Sequence, residues 1–313
     1  MPLLKKKLPW EGLAVSEGLC RTTTRLLCKL VGMASASFSG ATISAIVIGL
    51  VQIIGGLAGS KIFKLSLRLK PQHLIGSLLL GGITGLTAIL SVATFTCPGA
   101  DVGVSTFLIT MSVVPGAFVD SFVFRDRLNQ RQWGGVAVFL LAGYAMLNFP
   151  NLQGLLHLEL WVWLSLGVAL MAVASETTSK WIREINPLVN NFYGGISAVV
   201  ICTLILIGAK GWGLINQLTP RFWLGTIAIG GIAIVIISLK TTTYNRGARI
   251  ALKKVMMQGT LLTATNILGA VIYGEAITIG KVVGILGFFI AFSLRDQGTW
   301  LVIKNLLARK RIA

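Results

Sequence analysis

Apolar residues follow one another along this chain in long blocks, and short polar linkers separate the blocks. A block runs to about 20 residues, which is the length that an α-helix needs to cross roughly 30 Å of hydrocarbon. The pattern therefore predicts an all-α polytopic membrane protein with about nine clear transmembrane helices. The expected spans are Ser37–Gly59, His73–Thr96, Val104–Phe124, Trp133–Phe149, Leu160–Ser179, Leu188–Ala209, Phe222–Leu239, Val255–Ile272 and Ile279–Leu294.

The first 35 residues do not fit this pattern. Lys5–Lys7 precede a window, Glu11–Val31, that carries five charged residues. Each charge near the bilayer centre costs about 2.5–3.5 kcal/mol on the membrane-insertion scale, which the leucines of the window do not offset. Its basic residues recur every four positions on one helical face, with leucines on another. We therefore expect a cationic amphipathic helix on the membrane surface, at most peripheral to the bundle.

The chain also contains an internal repeat. A shift of 149 residues places Met256–Leu294 on Phe107–Ala145 and Glu275 on Asp126. The same shift places the first span of the second half on the charged window, so the first half has either a degenerate first helix or none. Since five helices are an odd number, the halves insert in opposite orientations, which predicts an inverted repeat of two five-helix units. The expected regions are 1–35 (basic N-terminal segment), 36–150 (first repeat), 151–294 (second repeat) and 295–313 (basic tail).

The charge distribution predicts the orientation. Only 12% of residues are charged and 54% are hydrophobic, whereas soluble chains carry about 25% charged residues. Nineteen basic residues lie in one alternating set of loops and the tail, against three in the other set. Because Lys and Arg resist translocation, we expect the first set and the C-terminus to be cytoplasmic, in a plasma (inner) membrane of bacterial type. The net charge of +18 then indicates anionic lipid as a partner, not nucleic acid.

Two stretches of the repeat resemble the EamA-type family of the drug/metabolite transporter superfamily. They read FVFRDRLNQRQWGGVAVFLLAGYAML and VIYGEAITIGKVVGILGFFIAFSL, each with an apolar helix, an acidic residue in a short turn, and a second helix. AILSVATFTCPGADVGVSTFL and SETTSKWIREINPLVNNFYGG are similar to further helix–turn–helix segments of that family. The sequence departs from the family at Asp126, where Glu is usual, and in its unrecognisable first helix.

The resemblance implies ten helices with both termini cytoplasmic. It also implies export or exchange of small metabolites, such as amino acids or related amphipathic compounds, by alternating access. An alternative is a non-transporting membrane subunit or a degenerate transporter relic. A homodimer remains open as the oligomeric state.

Polar residues inside apolar spans are costly and indicate a solute path or hydrogen bonds between helices. The candidates for the solute path are Thr106, Thr110, Asn190, Asn191, Tyr193, Gln258, Thr265 and Asn266. Glu176 is a candidate proton-coupling group, although a pair with Lys180 four residues on is the favoured explanation. Asp126 and Glu275 precede helices and are interpreted as structural, since a carboxylate complements a helix N-terminus.

The sequence offers little support for an enzyme. His73 and His157 fall at opposite edges of the predicted membrane, and the HExxH, GxSxG and Walker patterns do not occur. The four cysteines match no metal or disulfide spacing. We therefore expect no catalytic residue, no metal and no cofactor.

The predicted orientation can be tested by cysteine labelling. A cysteine replacing Gly213 should react with a membrane-impermeant maleimide from outside the cell, and one replacing Asn245 only from the cytoplasm. The opposite labelling would show that the orientation is reversed, because the excess of basic residues would then lie outside.

Overall fold

The computed structural model of the chain describes residues 10–112, 114–115, 118, 129–151, 157–182, 184–245 and 250–295. These residues form ten α-helices and two short 3-10 helices. The α-helices are α1 (Trp10–Ser35), α2 (Phe38–Ile62), α3 (Pro71–Ala93), α4 (Val102–Thr110), α5 (Gln130–Met146), α6 (Leu160–Trp181), α7 (Pro187–Gly208), α8 (Pro220–Asn245), α9 (Ile250–Tyr273) and α10 (Ile279–Arg295). The 3-10 helices are Thr94–Thr96 and Gly211–Gln217.

Five of these helices, α2, α3, α6, α7 and α8, are long and apolar enough to cross a membrane. The expectation of a helical membrane protein is therefore confirmed. Helices α2 to α10 overlap the nine predicted spans, but the number that cross stays a prediction. The predicted span Val104–Phe124 is described as a helix to Thr110, and most of the remainder lies outside the described residues.

Short polar side chains and prolines begin several helices where the sequence places turn residues. Ser37 accepts a hydrogen bond from the Gly40 amide at the start of α2, and Asp101 accepts one from the Val104 amide at the start of α4. Such caps satisfy amide groups that have no partner within the helix. Pro71 and Pro187 occupy the first positions of α3 and α7, where a missing N–H group costs nothing.

Consecutive helices run in alternating directions, so the bundle has two ends. At one end, here called the Asp101 end, the last turn of α1 contacts Val92 and Phe95, and Tyr273 contacts α1. At the other end, the Lys70 end, the irregular segment 63–70 packs against the α6–α7 connection, and the Tyr193 hydroxyl donates to the Leu67 carbonyl. Helices α1, α3, α5, α7 and α9 all run toward the Asp101 end.

Two pairs of helices approach each other closely because glycine lines their contact. A Cβ atom on Gly56 of α2 would lie 2.6 Å from the Phe192 amide nitrogen of α7, and one on Gly284 of α10 would lie 2.8 Å from the sulfur of Met146 in α5. Small residues let helix backbones pack tightly where the surrounding solvent is lipid. Beyond these pairs, α3 packs on α6 and α7, α8 on α1 and α2, and α4 on α6 and α9.

Helix α1 is part of the bundle, so the expectation that Glu11–Val31 is peripheral is wrong. It packs between α8 and α9. A Cβ atom on Gly18 would lie 2.7 Å from the Met257 carbonyl oxygen of α9, and one on Gly225 of α8 would lie 2.8 Å from Val31. Four of its charged side chains find partners or shielding inside the protein, namely Glu17, Arg21, Arg25 and Lys29. The membrane-insertion scale for an isolated helix does not consider such contacts.

The packing of α1 predicts that Gly18→Leu destabilises the protein. A side chain at this position meets the backbone of α9, and overpacking of this kind costs about 1–3 kcal/mol. The matched control is Gly231→Leu in α8, where a Cβ atom meets nothing within 4 Å. Thermal unfolding of detergent-purified protein should show a lower midpoint for Gly18→Leu only. Equal midpoints would indicate that α1 lies outside the bundle.

Candidate functional site

Helix α1 turns three of its charged residues toward its neighbours. Glu17 is fully buried, and its Oε1 accepts hydrogen bonds from Arg21 Nη2 at 2.8 Å and Arg21 Nε at 3.1 Å. One helical turn further, Arg25 has an Nη1 atom that is shielded from solvent and has no hydrogen-bond partner within the described part of the chain. Buried charge of this kind inside an apolar bundle is expensive and marks a functional site by default.

Helices α4 and α9, which both contact α1, share a polar contact with each other. The Asn266 carboxamide of α9 lies directly against Gly103 of α4, where a Cβ atom would have no room. Thr106 and Thr110 follow Gly103 on α4, and both are buried. Gln258 lies two turns before Asn266 on α9 and is also buried. Antiparallel packing of α4 on α9 therefore brings these four predicted residues to one contact.

The hydrogen bonds separate packing groups from groups that are free to bind. The Thr110 hydroxyl donates to the Phe107 carbonyl at 2.6 Å, and the Thr265 hydroxyl donates to the Leu261 carbonyl at 2.7 Å. Such bonds to the preceding turn leave little capacity for a ligand. In contrast, Thr106 Oγ1, Gln258 Oε1 and Asn266 Oδ1 are buried without a hydrogen-bond partner among the described residues.

Contacts between the helices align these groups along the bundle. Gly18 meets Met257 and Thr260, and α1 and α9 run in the same direction. Seven residues, or about 10 Å, lead along α1 from Gly18 to Arg25, and the same distance along α9 leads from Met257 and Thr260 to residues 264–267. Arg25 therefore lies at about the level of residues 264–267. Helices α1, α4 and α9 all contact one another. We refer to their buried and half-buried polar residues as the polar interior, which comprises Glu17, Arg21, Arg25, Thr106, Thr110, Gln258, Thr265 and Asn266.

Three predicted site residues lie elsewhere. Asn190, Asn191 and Tyr193 are in the first turns of α7, which packs on α2 and α3 at the Lys70 end. The Asn191 amide donates to the Pro187 carbonyl at 2.9 Å, and the Tyr193 hydroxyl donates to the Leu67 carbonyl at 2.8 Å. The Tyr193 hydroxyl is therefore engaged in local packing, whereas Asn190 and Asn191 each retain a buried Oδ1 without a hydrogen-bond partner among the described residues. Glu176 lies in α6, but its side chain is outside the described residues, as is Asp126.

A cluster of four charged residues joins three parts of the chain at the Asp101 end. Lys29 Nζ of α1 lies 2.6 Å from Glu275 Oε1 and donates to the Ala100 carbonyl at 2.9 Å. Lys281 Nζ of α10 lies 2.5 Å from Asp101 Oδ2 and 3.8 Å from Glu275 Oε2. These side chains are mostly buried. The four-charge cluster therefore holds the end of α1, the start of α4 and the α9–α10 turn together.

Glu275 is structural, as expected, but it acts on a different helix from the one predicted. Its Oε1 accepts a hydrogen bond at 2.7 Å from the amide of Val102, the first residue of α4. The carboxylate thus complements the N-terminus of α4 and not that of the following α10. Two glycines permit this geometry. Gly274 adopts a φ of +67° in the turn, and a Cβ atom on Gly269 would lie 2.6 Å from Glu275 Oε2.

An open groove of about 520 Å³ lies between α9 and α10, away from the polar interior. Its lining is almost entirely apolar and includes Met256, Ile267 and Phe289. Ile267 is exposed, which places this groove on the outer surface of the bundle. In a membrane such a surface contacts lipid, so the groove is not a candidate for a polar solute.

Sequence analysis did not assign the α1 charges to the site. The signal was present, because Glu17, Arg21 and Arg25 recur every four residues and so share one face of a helix. The periodicity defines this face but does not show whether it meets water or the protein interior.

The four-charge cluster predicts a strong coupling between Lys29 and Glu275. Removal of one partner from a buried ion pair costs about 3–5 kcal/mol, because the other charge is left uncompensated. Glu275→Gln and Lys29→Met should each lower the free energy of unfolding measured by SDS titration in mixed micelles. The double variant should lose less than the sum, since it leaves no orphaned charge at this pair. Strictly additive losses would refute the coupling, and exposed Glu184→Gln serves as the control.

No protein-family model and no curated protein matches the chain. The chain is similar to solved structures, one of which is described only as a crystal structure of a protein. That structure superposes with a TM-score of 0.58 at 14% sequence identity. The match covers 90% of this chain and 97% of the other. At this identity the similarity demonstrates a shared fold over nearly the whole chain.

Proposed function

We propose that this protein is a secondary transporter of small polar or amphipathic metabolites. It works by alternating access between two inverted five-helix units. The observation that carries the proposal is the polar interior, where charged residues of α1 and polar residues of α4 and α9, three helices in mutual contact, lie inside an otherwise apolar bundle. Buried polar groups that make no hydrogen bond between helices are costly in a membrane protein, whereas a carrier needs such groups to replace the water around its solute.

The pattern of helix contacts supports the inverted repeat. When each helix is exchanged for the helix five positions away, the pairs α2–α7, α4–α9 and α5–α10 map onto themselves. The pair α1–α8 becomes α6–α3, α1–α9 becomes α6–α4, and α3–α7 becomes α8–α2, and all of these pairs are in contact. Partners in this exchange run in opposite directions. In this scheme α1 is the equivalent of α6, so the first repeat has its first helix.

Ten crossing helices also remove a conflict in the charge distribution. With nine spans and a cytoplasmic C-terminus, the basic N-terminal residues would lie outside the cell. Because α1 runs in the same direction as α9, its N-terminus lies at the Lys70 end, together with the basic loops. Both termini are then cytoplasmic, in agreement with the positive-inside rule. The Asp101 end, which carries few basic residues, faces outward.

The described conformation is closed at the Asp101 end. The largest apolar cluster lies there and includes Val31, Val92, Phe95, Trp161 and Phe222. The four-charge cluster lies beside it. In the proposed cycle these contacts separate when the carrier opens outward, and they re-form when it opens to the cytoplasm. Discrete packed interfaces of this kind change between two arrangements and do not deform continuously.

A non-transporting subunit or relic is an alternative mainly because the sequence predicts a defective first helix. Helix α1 packs along α8 and α9, so that reason no longer applies.

Alternating access can be tested without knowing the solute. Thr106→Cys, introduced in a variant with Cys20, Cys28 and Cys97 replaced by Ser, retains a residue of similar size in the polar interior. In vesicles of defined orientation, we expect this cysteine to react slowly with an impermeant maleimide from either side, because each side gains access in turn.

The remaining native residue Cys202 serves as the control in the parent variant, since it is fully buried in an apolar cluster with Ala45 and Ile89. It should react from neither side. If Thr106→Cys also reacts from neither side, or from one side only, the protein does not alternate and the relic becomes the better description.

A further inference from the structure

We infer that the transported solute is an anion, and that Arg25 binds its carboxylate or phosphate group. This inference rests on the proposed transport function and specifies the chemical class of the solute.

Arg25 lies on the face of α1 that points toward α9. An α-helix turns about 100° per residue, so Arg25 is only about 20° around the helix from Gly18 and about 40° from Lys29. Gly18 contacts Met257 and Thr260 of α9, and Lys29 contacts Glu275 just after α9. Because Arg25 lies between these two contacts on the same face, its guanidinium group extends into the interior and not toward lipid.

Arg25 differs from the other cations of this region, because each of those pairs with a described carboxylate and Arg25 does not. From Glu17 to the Asp101 end, three carboxylates in the described interior face four cations. Arg21 pairs with Glu17, Lys29 with Glu275, and Lys281 with Asp101. Arg25 forms no ion pair with any described carboxylate, and its Nη1 has no hydrogen-bond partner among the described residues. Arg25 as a whole is half-buried, but its Nη1 atom is shielded from solvent and has no described group to compensate its charge. A shielded cationic group of this kind is unfavourable, so an anionic ligand would relieve a cost already present in the protein.

A neighbouring hydroxyl group is suited to donate to an anion. Thr106 lies at about the level of Arg25, and its Oγ1 is buried without a partner in the described chain. The Thr106 hydroxyl is free to donate a hydrogen bond, since its oxygen makes none to the preceding turn. Arginine binds carboxylates and phosphates through two parallel N–H groups, which provides orientation as well as attraction.

Ligand-induced stabilisation in a nonionic detergent tests the inference directly. The probes are succinate, inorganic phosphate and the dication putrescine, which has no carboxylate, each compared with sodium chloride at equal ionic strength. A ligand that binds only the folded state raises the unfolding midpoint. Succinate or phosphate should raise the midpoint of the wild-type protein, and putrescine should not. The succinate and phosphate arms distinguish a carboxylate solute from a phosphate solute.

Variants assign the effect to Arg25. In Arg25→Gln the apparent affinity for the stabilising anion should fall roughly 10- to 100-fold, the range expected when a charged hydrogen-bond donor is lost. Arg25→Lys should retain part of the affinity because it keeps the charge but loses the planar fork. Arg68→Gln is the matched control, since Arg68 is exposed in the segment 63–70. It should bind the anion as the wild type does.

Two outcomes would overturn the inference. One is that neither anion stabilises the wild type, in which case Arg25 is satisfied by water and has a structural role. The other is that Arg25→Gln, or Arg25→Lys if Arg25→Gln does not fold, binds the anion with unchanged affinity. Neither outcome affects the two-sided reactivity of Thr106→Cys. The proposal of a transporter would then still hold, with a neutral or cationic solute. Failure of this inference is therefore distinguishable from failure of the proposed function.

Discussion

The carboxylate of Glu275 joins three helices at the Asp101 end of the bundle. It accepts a hydrogen bond from the first amide of α4 and forms an ion pair with Lys29 of α1. Lys281, held by Asp101, lies beside it. A buried carboxylate is tolerated only where such partners replace its water, so the ends of three helices must meet at this point. This constraint holds α1, the least apolar helix, against an otherwise strongly apolar bundle.

Helix α1 is amphipathic in the reverse sense to a helix of a soluble protein. Large apolar side chains such as Leu19 and Met33 are exposed on its outer side, where lipid is the expected solvent. Its charged side chains face inward. Helices α4 and α9, which carry further buried polar residues, contact α1. Tight glycine contacts between α2 and α7 and between α5 and α10 hold the surrounding bundle. Rigid apolar pairs thus frame a small polar region, a division of roles that suits a carrier.

The two ends of the bundle are closed by different means. The Asp101 end combines an extensive apolar cluster with buried ion pairs. At the Lys70 end the described apolar cluster is small and depends on the irregular segment 63–70 packed on Ile182, Ile185 and Val189. Ion pairs can exchange partners or water when they separate, whereas buried apolar surface resists separation. Contacts that must form and break in each cycle therefore benefit from combining ion pairs with apolar surface, as at the Asp101 end. This combination agrees with the proposed transport cycle.

Much of this architecture could be predicted from sequence. Apolar blocks of about 20 residues determine helices, because only a helix satisfies its backbone hydrogen bonds within one segment in lipid. The shift that aligns Glu275 with Asp126 predicts a repeat, and the buried residues Thr106, Gln258 and Asn266 were found as polar exceptions within apolar spans. These features are local, and therefore periodicity and composition are sufficient to predict them.

The position of α1 depended on contacts that no local pattern contains. The spacing of Glu17, Arg21 and Arg25 defines a charged face, but a helix on a membrane surface and a helix lining a polar interior share this pattern. Lys29 and Glu275 are 246 residues apart, and their pairing appears only when the chain folds. The sequence by itself determined which helices form and which residues share a face. Only the tertiary structure decided what each face meets, because the cost of a buried charge depends on the partners that distant segments bring to it.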